Sequence, residues 1–147
     1  MIPFVERGFL DVRTHGFARV AVVVPEVRPG DPAFNVEAHL TLLGQARDAG
    51  AQYAVCPELG ISGYTCGDLF FQETLHRATR EGLGRLAEAT REWPMAVSVG
   101  APLLVDGALF NCAVTFAAGR VVAVAPKAYP PNYREFYELR WFQPAAL

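Results

Sequence analysis

Apolar positions along the chain follow two rhythms, one of strands and one of helices. Residues 18–24, ARVAVVV, are apolar almost without a break and rich in valine. Such a run predicts a strand buried on both faces. PEVRPGDP follows, a loop by its proline and glycine content. Asp31-Pro32 then opens a helix, with Asp as the N-cap and Pro in the first turn. Val36, Leu40, Leu43 and Ala46 recur at helical spacing and give one apolar stripe. Gly50 stands where a left-handed turn closes a helix. Residues 52–56, QYAVC, predict a second strand, ended by Pro57, which has no N–H for a sheet ladder. PELGISGYTCGD is a long loop. A second helix runs from Leu69 or Gln72 to Glu92, with Leu75, Leu83 and Leu86 inward and Pro94 blocking its continuation. Asp68 is the expected cap of that helix. MAVSVG, residues 95–100, predicts a third buried strand.

From residue 101 the rhythm changes. PLLV, Asp106-Gly107 and ALFNCAVTF predict a hairpin, because Asp-Gly favours tight primed turns. AAGR followed by VVAVA predicts another. The tail, 127–147, is rich in Pro, Tyr and charge and reads as irregular. Strands alternating with helices and then antiparallel hairpins make an α/β protein. Its mixed sheet has strands 18–24, 52–56, 95–100, 109–117 and 121–126, and helices cover one face. Nothing in the chain covers the other face. Large apolar patches are rare on monomers, so burial against a second copy, a homo-oligomer, is expected.

Composition narrows the function. At 147 residues the length prior is one domain. With 52% hydrophobic and 19% charged residues, a disordered or low-complexity segment is excluded. Thirteen basic against fifteen acidic residues leave a net charge of -2, with no excess to neutralise phosphates, so no nucleic-acid partner is expected. Residues 1–14 mix charge with apolar residues and do not read as a signal peptide. No apolar run approaches the ~20 residues that span a bilayer. No membrane partner and a cytoplasmic location are therefore expected. Cys56, Cys66 and Cys112 have no CxxC spacing, so neither a metal site nor a disulfide framework is indicated. His15, His39 and His76 are scattered and make no site.

Three charged residues stand out by position. Glu58 follows a buried strand and opens a glycine-rich loop, where ligand crevices form in parallel sheets. It can act as a proton acceptor or simply cap the loop backbone. Lys127 follows the last strand in the same way and can meet a developing oxyanion or lie solvated. Both strands end at one edge of the sheet, which predicts the two charged groups about 4 Å apart or bridged by one water. Glu135 lies among Tyr129, Tyr133, Arg134 and Tyr137, a loop packed by aromatics.

PELGISGY and PKAYPPNYREFYE, in that order, resemble two signatures of the nitrilase superfamily. HGFARVAV, PELGISGYTCGDLF, VGAPL and PKAYPPNYREFYE together resemble, more narrowly, the N-terminal glutaminase domain of glutamine-dependent NAD synthetases. The resemblance implies a nitrilase-type α-β-β-α sandwich, of which residues 1–147 form the N-terminal portion as a single partial carbon–nitrogen hydrolase domain. It also implies a Glu-Lys-Cys triad. Glu58 matches the general base, Lys127 the lysine that supports the tetrahedral intermediate, and Glu135 the carboxylate that positions that lysine. Tyr64 and Tyr133 match tyrosines lining the glutamine pocket. The family's nucleophilic cysteine follows a further strand beyond the lysine and matches none of the three cysteines here, so the fragment alone is expected to be inactive. The implied partners are glutamine and a C-terminal synthetase domain. The glutaminase domain needs no cofactor, and ATP and Mg2+ belong to the absent synthetase domain. A free-standing amidase or carbamoylase of the same superfamily and a catalytically dead interaction module are the alternatives.

Overall fold

The computed structural model describes residues 8–9 and 11–145; residues 1–7 and 10 of the N-terminal stretch, and 146–147 of the tail, lie outside the described residues. β1 (Val20–Val22), β2 (Tyr53–Val55), β3 (Ala96–Val105), β4 (Ala108–Ala117) and β5 (Arg120–Pro126) form one sheet in chain order. β1, β2 and β3 run parallel, and β3, β4 and β5 run antiparallel. β5 therefore points the same way as β2 and β3, and the C-terminal ends of all three lie at one edge.

Both parallel connections pass through a helix, α1 (Pro32–Asp48) and α2 (Glu73–Ala89). The Asp31 side chain accepts the Phe34 N–H at 3.1 Å, with Pro32 in the first turn, as the sequence predicts. Gly50 has φ +78° and donates to the Arg47 carbonyl. Val36 and Leu43 of α1 and Leu83 and Leu86 of α2 meet Ala54, Val97, Val99, Val114 and Phe116 of the sheet in the main core.

The structure differs from the sequence reading at four places. β1 is not buried on both faces. It is an edge strand, and only Val23 and Ala21 turn toward the helices, while Val20, Val22 and Val24 are exposed. β3 does not stop at residue 100 but continues to Val105, and takes Pro102 into the strand. The opposite residue, Asn111, gives its backbone carbonyl to the Lys127 N–H on the β5 side. The Pro102–Asn111 pair is thus a non-hydrogen-bonded one, and the missing proline N–H faces the side where β2 has already ended. Asp68 caps no helix. A separate 3-10 turn, Gly67–Phe71, precedes α2, and Asp68 instead accepts from Arg140 and from the Trp141 indole. Finally, the tail is irregular but anchored. Phe142 is buried against Phe70 in a second cluster with Leu59, Leu75 and Leu109, and Gln143 donates to the Leu109 carbonyl.

Both hairpins turn as their sequences predict. Asp106 and Gly107 have φ +49° and +79°, and Ala118 and Gly119 have φ +48° and +73°, the primed geometry that matches strand twist. The sheet face away from the helices carries Val20, Val22, Tyr53, Val55, Ser98, Gly100, Ala113 and Thr115 by register. No described element covers it. Tyr53, Ser98 and Thr115 link their hydroxyls across three strands, 2.6 Å at each step.

Candidate active site

Glu58 is placed by the turn that leaves β2. Cys56 donates its N–H to the Ser98 carbonyl, and Ile61 donates to that of Gly100, so the turn is laced to β3 on both sides of Glu58. Only glycine fits beneath it. A Cβ at position 100 would fall 2.3 Å from the Leu59 nitrogen and 2.5 Å from the Pro57 carbonyl oxygen. Leu59 takes a left-handed φ of +50° with its side chain fully buried, a strain that packing maintains. From the other side, the buried Asn35 of α1 donates to the carbonyls of Ile61 and Arg28 and ties the turn to the helix layer.

Lys127 leaves the end of β5, and its Nζ lies 2.6 Å from Glu58 Oε1. The expected pairing across the sheet edge is present. The second carboxylate on the lysine is that of Glu138, at 3.1 Å from Oε1 and 3.0 Å from Oε2. Glu138 is 2% exposed, and its Oε1 also accepts the Tyr64 hydroxyl at 2.6 Å. Burial pulls the Lys127 ammonium toward neutrality, but the two carboxylates outweigh it and hold its pKa above the usual lysine value. Burial, and then the Glu138 carboxylate, push the Tyr64 phenol well above its ordinary range, so Tyr64 stays a hydrogen-bond donor.

The five residues singled out from sequence fall into two groups. Glu58, Lys127 and Tyr64 join one network. Glu135 and Tyr133 do not. Glu135 is exposed beside Tyr64 in a shallow concavity of about 260 Å³, with no ion pair to Lys127, and the place expected for it on the lysine is taken by Glu138, three residues on. Tyr133 is exposed, with its ring centroid 6.1 Å from that of Phe136. The run YREFYE holds two glutamates, and composition alone does not separate them; burial does.

Asn111 went unremarked in the sequence. Its side chain donates to Glu58 Oε1 at 2.5 Å. The signal was present, since it is the one amide side chain in the mostly apolar stretch ALFNCAVTF.

Glu58, Asn111, Lys127, Ser98 and Gly100 line a concavity of about 370 Å³ on the open sheet face. A larger one, about 610 Å³, lies between α2 and the β3–β4 turn and holds none of these groups. Cys56 and Cys112 also border the smaller one, but burial pushes their thiols up to about 12 and about 11. Cys66 is buried too, its Sγ 3.0 Å from the Ser62 carbonyl, and burial raises it as well. None of the three is set up as a thiolate. Among the described residues no cluster of three His, Cys, Asp or Glu side chains could hold a metal, and no helix is long and apolar enough to cross a membrane.

The carbon-nitrogen hydrolase family model matches residues 19–139. The glutamine-dependent NAD(+) synthetase of Mycobacterium tuberculosis is 39% identical over 137 residues, 93% of this chain and 20% of the relative. The human protein of that name is 30% identical over 110 residues, 75% of this chain and 16% of the relative. The chain thus spans about a fifth of the length of these relatives. Among solved structures, a glutamine-dependent NAD(+) synthetase from Cytophaga hutchinsonii superposes with a TM-score of 0.81 at 28% identity, over 86% of this chain and 22% of that one. An amidase from Nesterenkonia sp. superposes at 0.74 and 24% identity, over 88% of this chain and 49% of that one, a likeness of fold.

Proposed function

Because the chain belongs to the carbon–nitrogen hydrolase family, we propose that it supplies the base and the lysine of a glutamine amidohydrolase site in an NAD synthetase. The observation that carries this is the Glu58–Lys127–Glu138 network at the sheet edge, in a chain whose sequence relatives bear that name. A carboxamide is a weak electrophile, so its cleavage calls for a thiolate. Glu58 takes the thiol proton as sulfur attacks the glutamine carbonyl. Lys127, held between two carboxylates, donates to the oxyanion of the tetrahedral intermediate. The proton on Glu58 then passes to the departing ammonia, and Glu58 activates the water that releases glutamate from the thioester.

The nucleophile is not Cys56, Cys66 or Cys112, whose thiols are buried and held protonated. On this reading the nucleophile is the cysteine that, in the family this chain resembles, follows a further strand beyond the lysine. The 147 residues alone then release no ammonia from glutamine. In the whole protein the ammonia goes to a synthetase domain, which uses ATP and Mg2+ to amidate deamido-NAD in the cytoplasm. On this reading the glutaminase domain needs no cofactor of its own. The test is ammonia release from glutamine by a full-length synthetase that carries this chain at its N-terminus. Release that survives Glu58→Gln overturns the reading.

A further inference from the structure

We propose that Asn111 is a positioning residue for Glu58, fixing the carboxylate so that Oε2 is the oxygen that receives the proton; this rests on the reading of Glu58 as the base. An ionised carboxylate only accepts hydrogen bonds, so the contact at Oε1 comes from the Asn111 Nδ2–H. Oε1 carries a second donor, the Lys127 ammonium. Oε2 has no hydrogen-bond partner among the described residues. Two donors draw charge from Oε1 and occupy its lone pairs, so the open oxygen is the one left to take a proton.

Asn111 is suited to this by its backbone as well. It is 4% exposed in β4, and its carbonyl accepts the Lys127 N–H at 2.8 Å. One residue thus sets the root of the lysine through its main chain and the orientation of the glutamate through its side chain. Lys127 alone would leave the Glu58 carboxylate free to swing about its terminal bond, so that its open oxygen had no fixed direction. With Asn111 as a second donor from the strand floor, a turn would break a charge-assisted hydrogen bond.

The first arm uses the full 147-residue chain, 15N-labelled, with the Asn111 side-chain amide assigned through its own Cβ. In wild type its Nδ2 protons are expected to be unequal, one shifted downfield and slow to exchange with solvent. In Glu58→Gln that proton moves upfield and exchanges about tenfold faster, as loss of a hydrogen bond to a charged group implies. Unchanged side-chain resonances in Glu58→Gln overturn the proposal, and this arm needs no variant at position 111. The second arm uses a full-length synthetase carrying this chain. Asn111→Leu, close in volume but without a donor, lowers kcat for glutamine about tenfold with little change in KM. An unchanged kcat, or a loss that falls on KM instead, overturns the positioning role. A wild-type protein inert toward glutamine sinks the proposed function instead, and the spectroscopic arm still decides Asn111.

Discussion

Lys127 Nζ and Glu58 Oε1 lie 2.6 Å apart, although 69 positions separate the two residues in the chain. Neither is brought there by local structure. β2 is parallel to β3, and two antiparallel pairings return β5 to that same direction, so the residues that follow β2 and β5 emerge at one edge. The topology thus creates an ion pair that no local pattern makes.

Glu58→Gln or Lys127→Ala in a full-length synthetase should abolish glutamine-dependent NAD formation and largely spare synthesis from added ammonia. Loss of the base is worth roughly 10²–10⁴-fold and loss of an oxyanion donor roughly 10²–10³-fold. Assays with each nitrogen source in turn give the answer. Equal loss with both, in folded protein, would assign these residues to structure.

Glu138→Gln and Glu135→Gln separate the two glutamates of the YREFYE run. Glu138 touches Lys127 and Tyr64, so its neutralisation should cut glutamine hydrolysis about tenfold or more. Glu135 is solvent-exposed and unpaired with Lys127, so its change should stay within about twofold. The reverse order of effects would return the positioning role to Glu135.

Acid should weaken the lock between the tail and the 3-10 turn. The Arg140 guanidinium, with the Trp141 indole, holds the Asp68 carboxyl down at about 2. Its folded value lies below an unfolded value of about 3.9, so its contribution is present above about pH 4 and lost as pH falls toward about 2. Asp68→Asn should therefore lower the unfolding midpoint in urea near neutral pH and converge with wild type in acid. A constant difference across that range would mean that the carboxylate charge does not matter.

Gly100→Ala tests the close approach beneath Glu58. The added methyl meets backbone at Leu59 and Pro57, which cannot swing aside as a flexible side chain would. Destabilisation of about 1–3 kcal/mol is expected, together with loss of the Glu58–Lys127 contact. Thermal unfolding and the Lys127 side-chain resonances are the measurements, and an unchanged protein would show that the turn can lift.

The face carrying Val20, Val22 and Val55 should drive self-association of the 147-residue chain. Exposed apolar patches of this kind are uncommon on isolated domains. Sedimentation should give a species larger than a monomer, and Val22→Lys should return it to one. A wild-type monomer that binds no hydrophobic dye would remove the expectation.

The sequence by itself determined the elements, the hairpin turns and the sheet class. Each of these depends on neighbours in the chain: the Asp31-Pro32 cap, the apolar stripe of α1, the Asp-Gly turn. It also placed Glu58 and Lys127, because each follows a strand end, whereas Tyr64 came only from the family resemblance. Tertiary structure decided the rest, for reasons that no local pattern carries. A run of valines reads the same at the edge of a sheet as in its centre, so the exposure of Val20 and Val22 depended on what lies beyond β1. Pro102 could remain in a strand because the neighbouring strand stops short of it. Of the two glutamates in one loop, only the fold could bury Glu138 on the lysine and leave Glu135 in water. Asn111 acquired its place because β4 passes beneath the Glu58 turn, a contact between residues 53 positions apart.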